Sequence, residues 1–222
     1  MKEYGEEGCV GSLSPLFNGL NWIALAGWSF VLYKILPCVW TDSDEKASAP
    51  VVRSLDDVVM GLEIICSIEV FRILLGDLKG NLILGVVLHG IRFATIFQVL
   101  PKLMPGHWTQ VYVLTSWAVT EVSRYPMYLL PNIGLFRSIR MVVPLFTFPV
   151  GAFCEAYAAY LVLKMEGSDC PWWLSLTLMT ILFINGVLGS TMAYPALLKK
   201  GLPVLGLTKN KKQDKTPKVK RV

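Results

Sequence analysis

The chain has 222 residues, of which 54% are hydrophobic and 17% charged, with a formal net charge of +5. A soluble globular domain carries about 25% charged residues, and the apolar residues here gather in blocks near the roughly 20 residues that cross a hydrocarbon core. The composition therefore excludes an ordinary soluble domain, and the lack of alternating ten-residue strands excludes a membrane β-barrel.

The predicted architecture is an all-α, polytopic membrane bundle of six transmembrane helices. Residues 1–16 are polar and acidic and read as a short, disordered N-terminal arm. No cleavable signal peptide is expected, because the first apolar run is long enough to stay as an anchor. The bundle itself is expected over residues 17–198. The first span is 17–40, with Trp22, Trp28 and Trp40 as interface anchors. Residues 41–57 read as a polar loop. The second span, 58–75, carries Glu63, Glu69 and Arg72. A tight connection at 76–80 leads to the third span, 81–100, with His89 and Arg92. The fourth, 108–130, holds Glu121 and Arg124. The fifth is 139–163 and the sixth 172–197. No internal repeat or pair of broken helices marks a transporter.

Six spans place both termini on one side. The basic tail at 199–222 holds Lys199, Lys200, Lys209, Lys211, Lys212, Lys215, Lys218, Lys220 and Arg221, and Lys79, Arg137 and Arg140 fall on the same side. The opposite loops hold only Lys46, Arg53, Lys102 and Lys164. Positive residues stay cytoplasmic, so both termini are expected in the cytosol. There the tail either sits on anionic lipid or stays solvated. Its last five residues, Lys218-Val219-Lys220-Arg221-Val222, are similar to a KxKxx signal for retrieval to the endoplasmic reticulum.

The charges inside the spans carry the chemistry. A carboxylate at the bilayer centre costs about 2.5–3.5 kcal/mol on insertion scales, so such a residue usually faces the bundle interior and is used. Glu155 is the strongest case. Phe148 lies seven residues before it, about two helical turns, and Gly151 lies between, leaving a gap in that face. Glu121 and Arg124, at i and i+3, are neighbours on one helix face. They form either a structural ion pair or a polar pocket with Glu155. Arg92 either snorkels to the headgroups or joins that pocket. Glu69 and Arg72 read as a structural pair, and His89 as a local hydrogen-bonder. Cys66 and Arg72 fit a C-x5-R phosphatase spacing, but the residues between them are bulky and helical where a phosphate cradle of backbone N–H groups is needed. Two histidines and five scattered cysteines (Cys9, Cys38, Cys66, Cys154, Cys170) give no metal site and no disulfide framework.

Several of these stretches resemble one family. Asn21-Trp22 followed by Ala26-Gly27-Trp28 looks like its first span, and Glu69, Gly76 and Arg92 fall at its E-x6-G-x15-R spacing. The run Ser116-Trp117-Ala118-Val119-Thr120-Glu121-Val122-Ser123-Arg124-Tyr125 is similar to its SWSxTEIxRY stretch, and Pro149-x-Gly151-x3-Glu155 to its YPxGxxxE motif. The family is that of the 3-hydroxyacyl-CoA dehydratases of very-long-chain fatty acid elongation, once called protein tyrosine phosphatase-like. The resemblance runs from about Leu20 to Tyr194. It implies a multi-pass protein of the endoplasmic reticulum membrane that removes water from (3R)-3-hydroxyacyl-CoA to give trans-2-enoyl-CoA, without a cofactor. Its partners would be a long-chain acyl-CoA substrate, membrane lipid, and the elongase and reductases of the cycle, with no nucleic acid. The implied catalytic pair is a tyrosine and a glutamate, at Phe148 and Glu155 here, so the phenol is replaced. Met141 likewise stands where the family has a tyrosine. Arg92, Glu121, Arg124 and Gly151 are kept as supporting residues. Arg92 or Arg124 could hold Glu155 or polarise the thioester, and Tyr125 or water could replace the phenol. The alternative is a catalytically silent relative that scaffolds elongation enzymes.

Overall fold

The computed structural model describes residues 14–40, 45–76 and 81–207, and every regular element among them is helical. Helix α1 is Ser14–Trp40, α2 is Glu45–Leu74 and α3 is Leu82–Ala94. The last continues through a π-helical turn, Thr95–Val99, and a 3-10 turn, Leu100–Lys102. Helix α4 is Trp108–Leu129 and α5 is Gly134–Glu166. Helix α6, Trp172–Leu182, runs through a π-helical stretch of 11 residues, Phe183–Ala193, into α7, Tyr194–Gly201. Most of the expected N-terminal arm and of the basic tail, with its KxKxx sequence, lies outside the described residues. Lys199 and Lys200 form part of the last turn of α7.

All six expected spans are helical. Four stretches are long and apolar enough to cross a membrane by length and composition: Pro15–Trp40, Leu82–Lys102, Gly134–Asp169 and Trp172–Gly201. Helices α2 and α4 are also long, at 30 and 22 residues, but they are richer in polar and charged residues, including Glu63, Glu69 and Arg72 on α2 and Glu121 and Arg124 on α4. Helix α4 lies at the centre, packed on α1 and α5 and touching α2. Half of its side chains are buried, including Gln110, Ser116, Trp117, Glu121 and Tyr125.

Two expectations are corrected. The polar loop of 41–57 is helical from Glu45 onward. Ser48, Val52, Leu55, Val59 and Leu62 are buried at the three- and four-residue spacing of one helix face, and Glu45 in the first turn favours the positive end of the helix dipole. Trp28 is no interface anchor. It is fully buried, and its indole Nε1 donates to Cys66 Sγ on α2 at 3.3 Å. Trp22 and Trp40 are exposed as expected.

Helices α5 and α6–α7 run antiparallel in contact, with a register that can be followed in pairs. Glu155 meets Asn185, Phe148 meets Gly189 and Tyr194, and Met141 and Leu145 meet Gly201. Between α4 and α5 the helices come close at Gly151, where a Cβ would lie 2.6 Å from Ser116 Oγ. Inside lipid such close approach replaces hydrophobic burial as the source of helix association.

Candidate functional site

Glu155 sits on the face of α5 that looks at α4 and at the π-helical stretch. Its Oε1 accepts the indole N–H of Trp117 at 2.6 Å, and its Oε2 accepts the side-chain N–H of Asn185 at 2.8 Å. The residue is 7% exposed, so the carboxyl group is turned inward rather than toward lipid. A carboxylate has about four lone-pair sites. The two donors occupy one on each oxygen and fix the plane of the group, and the others stay open. Phe148, two turns away on α5, lies nearly parallel to the ring of Tyr194, with centroids 6.5 Å apart and 8° between planes.

A second polar assembly ties α2, α3 and α4 together. His89 Nδ1 pairs with Glu63 Oε1 at 2.5 Å. Arg92 Nη1 donates to Glu121 Oε1 at 2.7 Å and to Glu63 Oε2 at 3.2 Å. Arg124 pairs with Glu121 Oε2 at 2.5 Å and with Glu69 Oε2 at 3.2 Å. Alternating signs let each buried charge face an opposite one, without which its burial would cost several kcal/mol. Tyr125 closes the assembly: its hydroxyl lies 3.1 Å from Cys66 Sγ and accepts from Arg124 Nη2 at 3.3 Å.

The expected Glu121–Arg124 pair is present. Arg92 does not snorkel, because two carboxylates hold it inside. Neither guanidinium pairs with Glu155, so the anticipated single pocket of Glu121, Arg124 and Glu155 is instead two adjoining sites. Trp117 joins them. Its ring lies under the Arg92 guanidinium, 5.1 Å from the centroid, while its N–H points at Glu155. A cation over an indole face draws on the ring's electrons and so strengthens the N–H as a donor. Glu69 reaches across to Arg124, and Arg72 lies over the Phe17 ring at 4.3 Å. Tyr125 is 1% exposed and directs its hydroxyl into the ionic assembly, away from the role of phenol to Glu155. Cys66 is a helical, fully buried thiol between Trp28 and Tyr125, which disposes of the phosphatase spacing.

Trp117 and Asn185 were missed as site residues by the sequence reading. Trp117 stands out in the sequence only as one residue of the Ser116–Tyr125 motif. Asn185 is a lone amide in an apolar span, and that alone was a usable signal, since polar side chains inside a membrane are rarely without a partner. A separate cavity of about 480 Å³ opens where α2 and α4 begin, lined in part by Val52, Asp56, Met60, Ile96, Leu103 and Leu114. Neither Glu155 nor Phe148 lines it. Among the described residues no group of three or more His, Cys, Asp or Glu could hold a metal ion.

A family model described as protein tyrosine phosphatase-like protein, PTPLA, matches residues 63–206. The matched segment leaves out α1 and the first half of α2, and it contains Glu155, its two donors and the whole ionic assembly. None of the curated proteins and none of the solved structures compared with the chain matches it.

Proposed function

The chain belongs to the PTPLA family, the family of very-long-chain 3-hydroxyacyl-CoA dehydratases, and from that premise we propose that it converts (3R)-3-hydroxyacyl-CoA to trans-2-enoyl-CoA. The supporting observation is the Glu155 carboxyl group. It is buried in an apolar bundle, held by two N–H donors and left with open lone pairs. Dehydration removes a proton from the carbon next to the thioester and delivers one to the departing hydroxyl. Positioned acids and bases contribute about 10²–10⁴-fold each to such steps. Glu155 is the group that takes the α-proton, and Trp117 and Asn185 keep it aimed. Arg92 acts on it through the Trp117 ring. The ionic assembly holds Trp117 and α4 in place.

On this reading the protein works in the endoplasmic reticulum membrane, beside the elongase and reductases that make its substrate and use its product. The test is conversion in microsomes. Membranes containing the protein should form trans-2-enoyl-CoA from a long-chain (3R)-3-hydroxyacyl-CoA faster than membranes lacking it. The second reading, a silent scaffold for those enzymes, is favoured by the phenyl ring of Phe148, which has no proton to give. It predicts equal conversion with and without the protein.

A further inference from the structure

The Glu155 site as built has a base and no obvious proton donor for the leaving group. Phe148 carries no hydroxyl, and the Tyr125 hydroxyl is directed at Cys66 and Arg124. The other phenol against this part of α5 is Tyr194. It is half-buried, its ring lies parallel to Phe148, and its hydroxyl makes no hydrogen bond among the described residues.

The backbone explains how Tyr194 comes to be there. Asn185 and Tyr194 are nine residues apart. In an α-helix nine residues make about 2.5 turns, which puts the two on opposite faces. The stretch Phe183–Ala193 is π-helical instead. With i→i+5 bonding and about 4.4 residues per turn, nine residues make close to two full turns. Asn185, Gly189 and Tyr194 therefore share one face, the one against α5. The contacts agree: Asn185 donates to Glu155, a Cβ at Gly189 would lie 3.4 Å from Phe148 Cζ, and Tyr194 stacks on the same Phe148 ring. Helical side chains also lean toward the N-terminus of their own helix. For Tyr194 that direction is toward Asn185, and so toward Glu155. π-Helical turns occur frequently at functional sites.

We propose that Tyr194 is a catalytic residue, the proton donor that works with Glu155 across the α5–α7 contact. The inference rests on the dehydratase reading above. In the step, the Glu155 carboxylate takes the α-proton and the electron pair of that C–H bond forms the α,β double bond. The bond from the β-carbon to its hydroxyl breaks, and the leaving oxygen takes the Tyr194 phenol proton and departs as water. Glu155 then returns its proton to the Tyr194 oxygen through that water, and both groups regain their starting states.

The test uses the full chain, purified in detergent, with a long-chain (3R)-3-hydroxyacyl-CoA. Tyr194→Phe removes one oxygen and keeps the stacked ring, so thermal unfolding should match the wild type. The rate constant kcat should fall about 10²–10⁴-fold, the range for a lost acid or base, with KM little changed. In the double variant Phe148→Tyr/Tyr194→Phe the hydroxyl crosses the stack to α5, and kcat should recover by about tenfold or more over the single variant. A Tyr194→Phe enzyme that folds and turns over within about twofold of an active wild type overturns the assignment of Tyr194 and leaves the dehydratase reading standing. A wild type with no turnover overturns both.

Discussion

Trp117 has the most to answer for at the scale of single residues, because it touches both polar assemblies. Trp117→Phe keeps an aromatic ring near Arg92 and removes the N–H that Glu155 accepts, together with part of the buried indole. A hydrogen bond to a charged group is worth about 1.5–3 kcal/mol, so kcat should drop roughly 10- to 100-fold while KM holds; steady-state kinetics on purified protein reads both. Glu121 is a different case. It pairs with Arg92 and with Arg124, and removing one member of a buried ion pair costs about 3–5 kcal/mol. Glu121→Ala should lower the thermal midpoint in detergent and the folded yield by more than Trp117→Phe does. Equal midpoints for Glu121→Ala and wild type would show that the assembly adds nothing to stability. At this scale the sequence was a fair guide. An isolated carboxylate in an apolar run points inward on cost alone, and the i, i+3 spacing placed Glu121 beside Arg124. It could not assign partners across helices. Spacing alone pairs Glu69 with its neighbour Arg72, yet Glu69 reaches Arg124 on another helix.

Helix contacts set the next scale, and glycines mark where they are tightest. At Gly151 an added Cβ would meet Ser116 Oγ at 2.6 Å and Ser116 Cβ at 3.3 Å. Overpacking of this kind costs about 1–3 kcal/mol. Gly151→Ala should therefore destabilise the protein, and Ser116→Gly in the same chain should restore most of the loss; a double-mutant cycle on thermal midpoints measures the coupling. At Gly201 the obstacle is backbone, since a Cβ would lie 2.8 Å from the Met141 carbonyl oxygen. No side-chain substitution relieves that contact, so Gly201→Ala should push α7 off α5 and resist rescue by Leu145→Ala. The boundaries of most spans were legible from apolar runs, but two features were not. The helical start of α2 was hidden because charged residues on its exposed face made 45–57 look like a loop. The π-helical stretch was hidden because a 3.6-residue period separates Asn185 from Tyr194, and only the altered winding brings them to one face.

Across the whole molecule, polarity is arranged from inside out. Apolar side chains such as Phe146, Phe153, Leu176 and Phe183 are exposed on the outside, where lipid would meet them. Ionisable groups of α2, α3 and α4 are collected at the centre, and Glu155 sits beside them with a separate set of donors. From the charge counting we propose that both chain ends lie in the cytosol. A glycosylation acceptor placed at either terminus should stay unmodified in microsomes, while one placed in the segment between α1 and α2 should be modified; modification at a terminus would reverse the orientation.

The proposed chemistry depends first on the Glu155 carboxyl group, which moves the α-proton. Purified protein carrying Glu155→Gln keeps the side-chain shape and loses the base, so a comparison of kcat on one long-chain (3R)-3-hydroxyacyl-CoA measures that claim directly. The account predicts a fall of about 10²–10⁴-fold with an unchanged thermal midpoint. Enoyl-CoA formation at the wild-type rate by a folded Glu155→Gln protein would contradict it.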